Sequence, residues 1–218
     1  MQLIPEKINN ADKIKNIIFD WGGVISNIDY HKSIEAFKKI GLEGFDEMYT
    51  QLKQTDLFDK LETGSIEPAE FRNELRAITQ ADLDDELIDE AWTAMLLDLP
   101  RQRLNLLEKV GKHYNIFLLS NTNAIHIQRY SKYIDQVYGT EKFRNLFKKA
   151  YLSHEIGMRK PHVEIFQYVL TQNNLSPNET LFIDDTPQHI EGAKKAGLNT
   201  FHLKAPITIL DLFKNGTA

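Results

Sequence analysis

Apolar positions along this chain change their spacing twice, near residue 30 and again near residue 100. Before the first change, Ile17, Ile18 and Phe19 run without polar alternation, and Gly22 and Gly23 follow at once. A β-branched and aromatic run of this kind predicts a strand buried on both faces. Between the two changes the spacing is helical. Ile34, Phe37 and Ile40 before Gly41 predict one amphipathic helix, and Phe45, Met48, Tyr49 and Leu52 a second. Thr63-Gly64-Ser65 reads as a turn, with Pro68 opening a third helix that carries Phe71, Leu75 and Ile78. Leu83, Leu87, Trp92, Met95 and Leu96 predict a fourth, whose acidic run from Asp82 to Glu90 is a solvated face.

After Pro100 strands and helices alternate. A leucine-rich helix (Leu104, Leu106, Leu107, Val110) ends at Gly111 and is followed by a strand from Ile116 to Leu119. A helix around Ile125 to Ile134 and the Phe143 to Phe147 segment lead to a short strand from Ala150 to Leu152. Pro161 opens the next helix, with Lys160 just before its first turn. Further strands are expected at Thr180 to Ile183 and Thr200 to Leu203, separated by a helix with a small face (Gly192, Ala193, Ala196). The tail from Ile207 to Phe213 reads as a closing helix. This order predicts an α/β fold: a Rossmann-like parallel sheet with helices on both faces, interrupted by a helical insert of about seventy residues. The expected division is a core of residues 1–28 and 100–218 and an insert of residues 29–99.

Charge sharpens that division. Residues 30–100 hold 17 Asp and Glu against 7 Lys and Arg, whereas the remainder holds 14 against 19. A mildly cationic core suits an anionic substrate. No basic tract points to nucleic acid, no run reaches the length of a membrane span, and the N-terminal stretch lacks the apolar core of a secretory signal. The expectation is a cytoplasmic protein. With no cysteine in the sequence, disulfides, zinc-thiolate sites and thiol catalysis are excluded.

Four predicted strands or the loops after them end in polar residues: Asp20, Ser120, Lys160, and the pair Asp184 and Asp185. In a parallel sheet these reach one edge, where open α/β sheets bind ligands. A carboxylate nucleophile needs its charge held and its target activated, and a lysine with a magnesium ion on several oxygens meets both needs. Singly, each residue has a structural reading as well: Asp20 or the Asp184-Asp185 pair as helix caps, Ser120 as a turn residue, Lys160 as a surface lysine.

Taken together, the stretches FDWGGVI, LLSNTN, GMRKP and FIDDTPQHIEGA resemble the haloacid dehalogenase superfamily across nearly the whole chain, and within it the sugar phosphatases of the α-D-glucose-1-phosphate phosphatase type. The resemblance implies Asp20 as nucleophile and Ser120 and Lys160 as phosphate-binding groups. It implies a magnesium site of Asp20, the Gly22 carbonyl, Asp184 and Asp185, with the backbone of Gly22 and Gly23 lining the substrate site. Asn121 reads either as a substrate contact or as a turn residue. The helical insert resembles the family's C1 cap. Two departures stand out: Gly22 replaces the second aspartate that most of the family's phosphatases use as general acid and base, and His189 stands where Asn or Asp is usual. Asp29 is a candidate for the missing acid, or else a hinge or helix-capping residue. The implied activity is hydrolysis of a small phosphorylated metabolite, such as a hexose 1-phosphate, through an aspartyl-phosphate. The alternatives are a metal-free dehalogenase and a non-catalytic member that binds a phosphorylated ligand or a protein.

Overall fold

The computed structural model describes residues 1–4, 6–42, 45 and 56–214. Among the described residues, in chain order, β1 (Gln2–Leu3) and β2 (Asn16–Phe19) precede helices α1 (Tyr30–Lys39), α2 (Asp56–Glu62), α3 (Pro68–Thr79) and α4 (Asp85–Thr93). Then come α5 (Arg101–Val110), β3 (Asn115–Ser120), α6 (Ala124–Val137), α7 (Thr140–Arg144), β4 (Lys149–Leu152) and α8 (Ser153–Ile156). The chain closes through α9 (Val163–Gln172), β5 (Thr180–Asp184), α10 (Pro187–Lys195), β6 (Asn199–His202) and β7 (Phe213–Lys214).

Five strands form a parallel sheet in the order β4-β3-β2-β5-β6. Every residue of β2 is buried, and pleating splits them between two cores. Ile17 and Phe19 face the side covered by Leu104 and Leu107 of α5 and Tyr130 and Ile134 of α6. Ile18 faces Ile165, Phe166 and Val169 of α9 and Ile190 and Ala193 of α10. From β2 the chain first builds outward to β3 and β4, then crosses back to β5 and β6. The strand order therefore reverses at the C-terminal end of β2, the crevice in which such sheets bind ligands.

The helices from α1 to α4 share a third apolar cluster of their own, built on Phe37, Phe58, Phe71, Leu75, Ile88 and Trp92. Phe45 belongs to it, while Met48, Tyr49 and Leu52 of the expected second helix lie outside the described residues. The chain enters and leaves this layer through adjacent segments: Asn27 N donates to the Asp98 carbonyl at 2.9 Å, Leu97 N to Asn27 at 3.2 Å and Asp29 N to Met95 at 3.0 Å. These bonds make a two-stranded ribbon beside the sheet edge.

Several expectations shift. Leu87 is 41% exposed and Ile78 56% exposed. On α4 the inward stripe is Ile88, Ala91 and Trp92, an i, i+3, i+4 set that leaves Leu87 off the face, and Ile78 stands in the last turn of α3 beyond the buried Phe71 and Leu75. The expected closing helix is only a 3-10 turn, Ile209–Leu212, capped by Thr208 and Asp211. Phe213 and Lys214 are drawn into an antiparallel pair with Gln2 and Leu3, which ends the helix. The helix after Lys160 begins at Val163 rather than at Pro161.

Candidate active site

Asp20 follows β2 directly, and its backbone N–H still bonds the Ile183 carbonyl at 3.0 Å, so its carboxylate is fixed at the strand-order reversal. The next strand ends on Asp184, and the loop before α9 sends Lys160 between the two. Lys160 is completely buried; its Nζ donates to Asp20 Oδ1 at 2.6 Å, to Asp184 Oδ2 at 2.7 Å and to the Leu119 carbonyl at 3.0 Å. A buried ammonium is tolerated only when it is paired and hydrogen-bonded in this way.

Asn121 clamps the same loop: its Oδ1 accepts from Lys160 N at 2.9 Å and its Nδ2 donates to the Lys160 carbonyl at 2.8 Å. The carboxamide, expected as a substrate contact or turn residue, is thus engaged on the Lys160 peptide. Ser120 is buried at the end of β3, its hydroxyl donating a long bond, 3.4 Å, to the Asn121 carbonyl. Thr122, next along, exchanges bonds with the Ser153 hydroxyl, its N donating and its carbonyl accepting at 2.9 Å each, which ties this loop to the start of α8.

The two adjacent aspartates differ. Asp184 is saturated: beyond Lys160, its Oδ1 accepts from Thr186 N at 2.8 Å, and His189 Nδ1 lies 3.0 Å from Oδ2. Asp185 bonds weakly to the Thr186 hydroxyl at 3.4 Å and packs against Gly23. A Cβ on Gly23 would stand 2.1 Å from Asp185 Oδ2, and its φ of +77° favours glycine, so this position keeps the space that Asp185 occupies. Gly22 is different. A Cβ there would come within 3.3 Å of Ile28 Cδ1, so a side chain at this position would need only a small shift of Ile28.

One carboxylate oxygen from each of Asp20, Asp184 and Asp185 lies within 4.8 Å of the others. Three carboxylates around one ammonium leave an excess of negative charge in a buried place. Burial pushes Asp20 up to about 8 against the pull of Lys160, and the two neighbouring aspartates add to the rise. Burial and then Asp184 raise Asp185 to about 6. Burial would also raise Asp184, but Lys160 and His189 outweigh it and hold that carboxyl well below its usual range. An all-oxygen set with surplus negative charge suits a small, hard divalent cation.

Other residues join this edge without a sequence signal of their own. Tyr30, at the start of α1, has its hydroxyl pKa raised by burial and then by the charges of Asp185, Asp20, Glu62 and Asp184. His202, at the end of β6, has Nε2 2.9 Å from the Asp185 carbonyl. Asp29, which the sequence does single out as a candidate acid or a hinge or capping residue, is the N-cap of α1, its Oδ1 accepting from His31 N at 3.0 Å. Among the described residues no helix is long and apolar enough to cross a membrane.

Comparison with known proteins agrees with this geometry. The family model for haloacid dehalogenase-like hydrolases matches residues 118–203. D-ribitol-5-phosphate phosphatase of Bacteroides thetaiotaomicron is 34% identical over 188 residues, 86% of this chain and 91% of that protein. A sesquiterpene phosphatase of Aspergillus oryzae is 26% identical over 87% of this chain and 89% of its own. Among solved structures, a haloacid dehalogenase family enzyme from Bacteroides thetaiotaomicron, an aspartate-to-alanine mutant in complex with magnesium and inorganic phosphate, superposes with a TM-score of 0.81. It is 39% identical, with 88% of this chain and 95% of that one covered. A predicted hydrolase of this type from Porphyromonas gingivalis gives 0.78 at 31% identity, covering 87% and 90%. With four separated motifs meeting at one sheet edge and relatives of this identity matched along most of their length, the chain belongs to the haloacid dehalogenase-like hydrolases.

Proposed function

We propose that this protein is a magnesium-dependent phosphatase of small phosphorylated sugars or sugar alcohols. The observation that carries the reading is the buried Lys160 ammonium bridging Asp20 and Asp184, with Asp185 beside them. That set answers the demands of phosphoryl transfer: an anchored carboxylate, a cation for the transferring oxygens and a place for a metal. Magnesium on Asp20, Asp184, Asp185 and the Gly22 carbonyl would offset the carboxylate charge and that of the transferring oxygens. Two structures of one relative, its wild type and an aspartate-to-alanine mutant, hold that cation and phosphate and support its choice.

In this reading an Asp20 oxygen forms a bond to phosphorus as the bond to the leaving oxygen breaks, and the leaving alkoxide takes up a proton. Water then attacks phosphorus, the Asp20–phosphorus bond breaks, and inorganic phosphate departs. Lys160 holds Asp20 in line throughout, while the buried Ser120 hydroxyl and the backbone at Gly22 and Gly23 meet the phosphoryl oxygens. The helices from α1 to α4 act as a cap whose closure excludes water.

The leaving group decides how much acid help is needed. With Gly22 in place of an aspartate, an anomeric sugar oxygen leaves more readily than an ordinary alcohol, which favours hexose 1-phosphates. A relative named for the 5-phosphate of a sugar alcohol favours a second reading, in which the leaving oxygen is an ordinary alkoxide and a group such as Asp29 supplies its proton. Turnover of p-nitrophenyl phosphate with magnesium and with excess chelator tests the class of reaction, and a panel of ribitol 5-phosphate, hexose 1-phosphates and hexose 6-phosphates separates the two readings. Full activity in chelator contradicts the metal assignment. A clear preference for 6-phosphates contradicts the leaving-group argument.

A further inference from the structure

The residue before Lys160 is used by nothing described so far. Arg159 turns its guanidinium the opposite way, toward α2, where Nη1 pairs with Asp59 and Nη2 lies 2.9 Å from Glu62 Oε2. Asp59 and Glu62 are three residues apart and therefore on one face of the helix; the Asp59 contact is a hydrogen bond and the Glu62 contact a close ion pair without hydrogen-bond alignment. The Arg159 side chain is 12% exposed and that of Glu62 9%, so this half of the fork is poorly screened, whereas Asp59, 42% exposed, meets solvent.

The backbone on either side is stiff. The Arg159 carbonyl accepts from His162 N at 3.2 Å, and the Lys160 peptide is clamped by Asn121. A second contact secures the same end of α2: a Cβ on Gly64 would lie 2.2 Å from the His154 carbonyl, so the turn after the helix rests directly on the backbone of α8. The C-terminal end of α2 is thus held between the loop that carries Lys160 and the backbone of α8.

We propose that Arg159 is a positioning residue: its fork fastens α2 to the loop that delivers Lys160, so that the helical layer and the phosphoryl site close as one unit. The kinetic consequence rests on the phosphatase reading; the mechanical one does not. Loss of the fork loosens α2, weakens substrate capture and leaves the chemistry of a captured substrate intact.

The test combines hydrogen–deuterium exchange of the intact protein with steady-state kinetics on Arg159→Gln, Arg159→Lys and Glu62→Gln. Amides of α2 and the following turn are expected to exchange about tenfold faster in Arg159→Gln, the loss of a charge-assisted pair. Arg159→Lys, which can serve only one carboxylate at a time, falls between that variant and the wild type. Adding Glu62→Gln to Arg159→Gln gives no further increase, and Glu62→Gln alone serves if Arg159→Gln does not fold. KM for p-nitrophenyl phosphate with magnesium rises by a similar factor while kcat stays within about threefold. Unchanged exchange of α2 overturns the fastening. A fall in kcat at constant KM overturns the capture role. A wild-type protein that turns over no phosphate ester speaks against the phosphatase reading instead, and leaves the fastening to be decided by exchange.

Discussion

Replacing Lys160 by Met removes one charge from a place where it holds two others. The Met side chain keeps the unbranched stem that lies near the Phe182 ring, whose centroid is 5.4 Å from Nζ, so packing is nearly preserved. What disappears is the ammonium. Asp20 and Asp184, both buried, then face each other and Asp185 with no internal cation, and the Leu119 carbonyl loses its donor. Breaking a buried ion pair by deleting one partner costs about 3–5 kcal/mol, because the surviving charge stays buried. For a domain of this size each kcal/mol moves the midpoint by about 2–4 °C, so the variant should melt roughly 6–20 °C below the wild type in chelator. Magnesium at several millimolar should raise the variant's midpoint more than the wild type's, since a dication on the carboxylates supplies charge that Lys160 no longer does. Thermal and urea unfolding followed by circular dichroism measure both. A variant within about 2 °C of the wild type in chelator would refute the view that Lys160 balances this cluster.

Other predictions concern the edge of the helical layer. His126 is buried against Trp92, with ring centroids 5.0 Å apart and Nε2 3.3 Å from the Trp92 carbonyl. Burial lowers its pKa to about 4, with His154 nearby acting in the same direction. His126 in the unfolded chain therefore binds more protons between pH 4 and 6.5, and its own contribution to stability should fall by about 3 kcal/mol as pH drops through that window. Urea titrations at stepwise pH of the wild type and His126→Gln should differ by that amount across the window, the contributions of the other groups cancelling in the difference. Asp29→Asn keeps an equally good N-cap and removes only the titratable proton. If Asp29 is the acid, hydrolysis of alkyl phosphates slows by a factor of roughly a hundred to ten thousand while p-nitrophenyl phosphate is barely affected; equal slowing of both removes Asp29 from that role.

The strands of the sheet were legible because each is a short apolar run ending in a polar residue, and Asp20, Ser120 and Asp184 then follow from parallel pairing alone. Lys160 was legible through its place before a helix. Tyr30, His202 and Arg159 were not, because their relevance comes from segments distant in sequence: the charges acting on α1, the loop before α9 against α2, and β6 beside β5. Asn121 was visible as a polar residue at that edge, but its engagement with the Lys160 peptide joins positions 39 residues apart, which no local pattern encodes. Leu87 and Ile78 misled for a related reason. Apolar spacing marks a possible buried stripe, and only the neighbouring helices decide which stripe is covered. The tail was misread as helix because the strand that captures Phe213 lies at the opposite end of the chain.

The central claim is that Asp20 is the group that attacks phosphorus. Asp20→Asn preserves size and the hydrogen-bonding position beside Lys160 while removing the attacking charge. Its steady-state turnover of p-nitrophenyl phosphate in saturating magnesium, measured beside the wild type, should fall by about a thousandfold or more, with the unfolding transition still cooperative. Turnover by the variant at the wild-type rate would contradict the account.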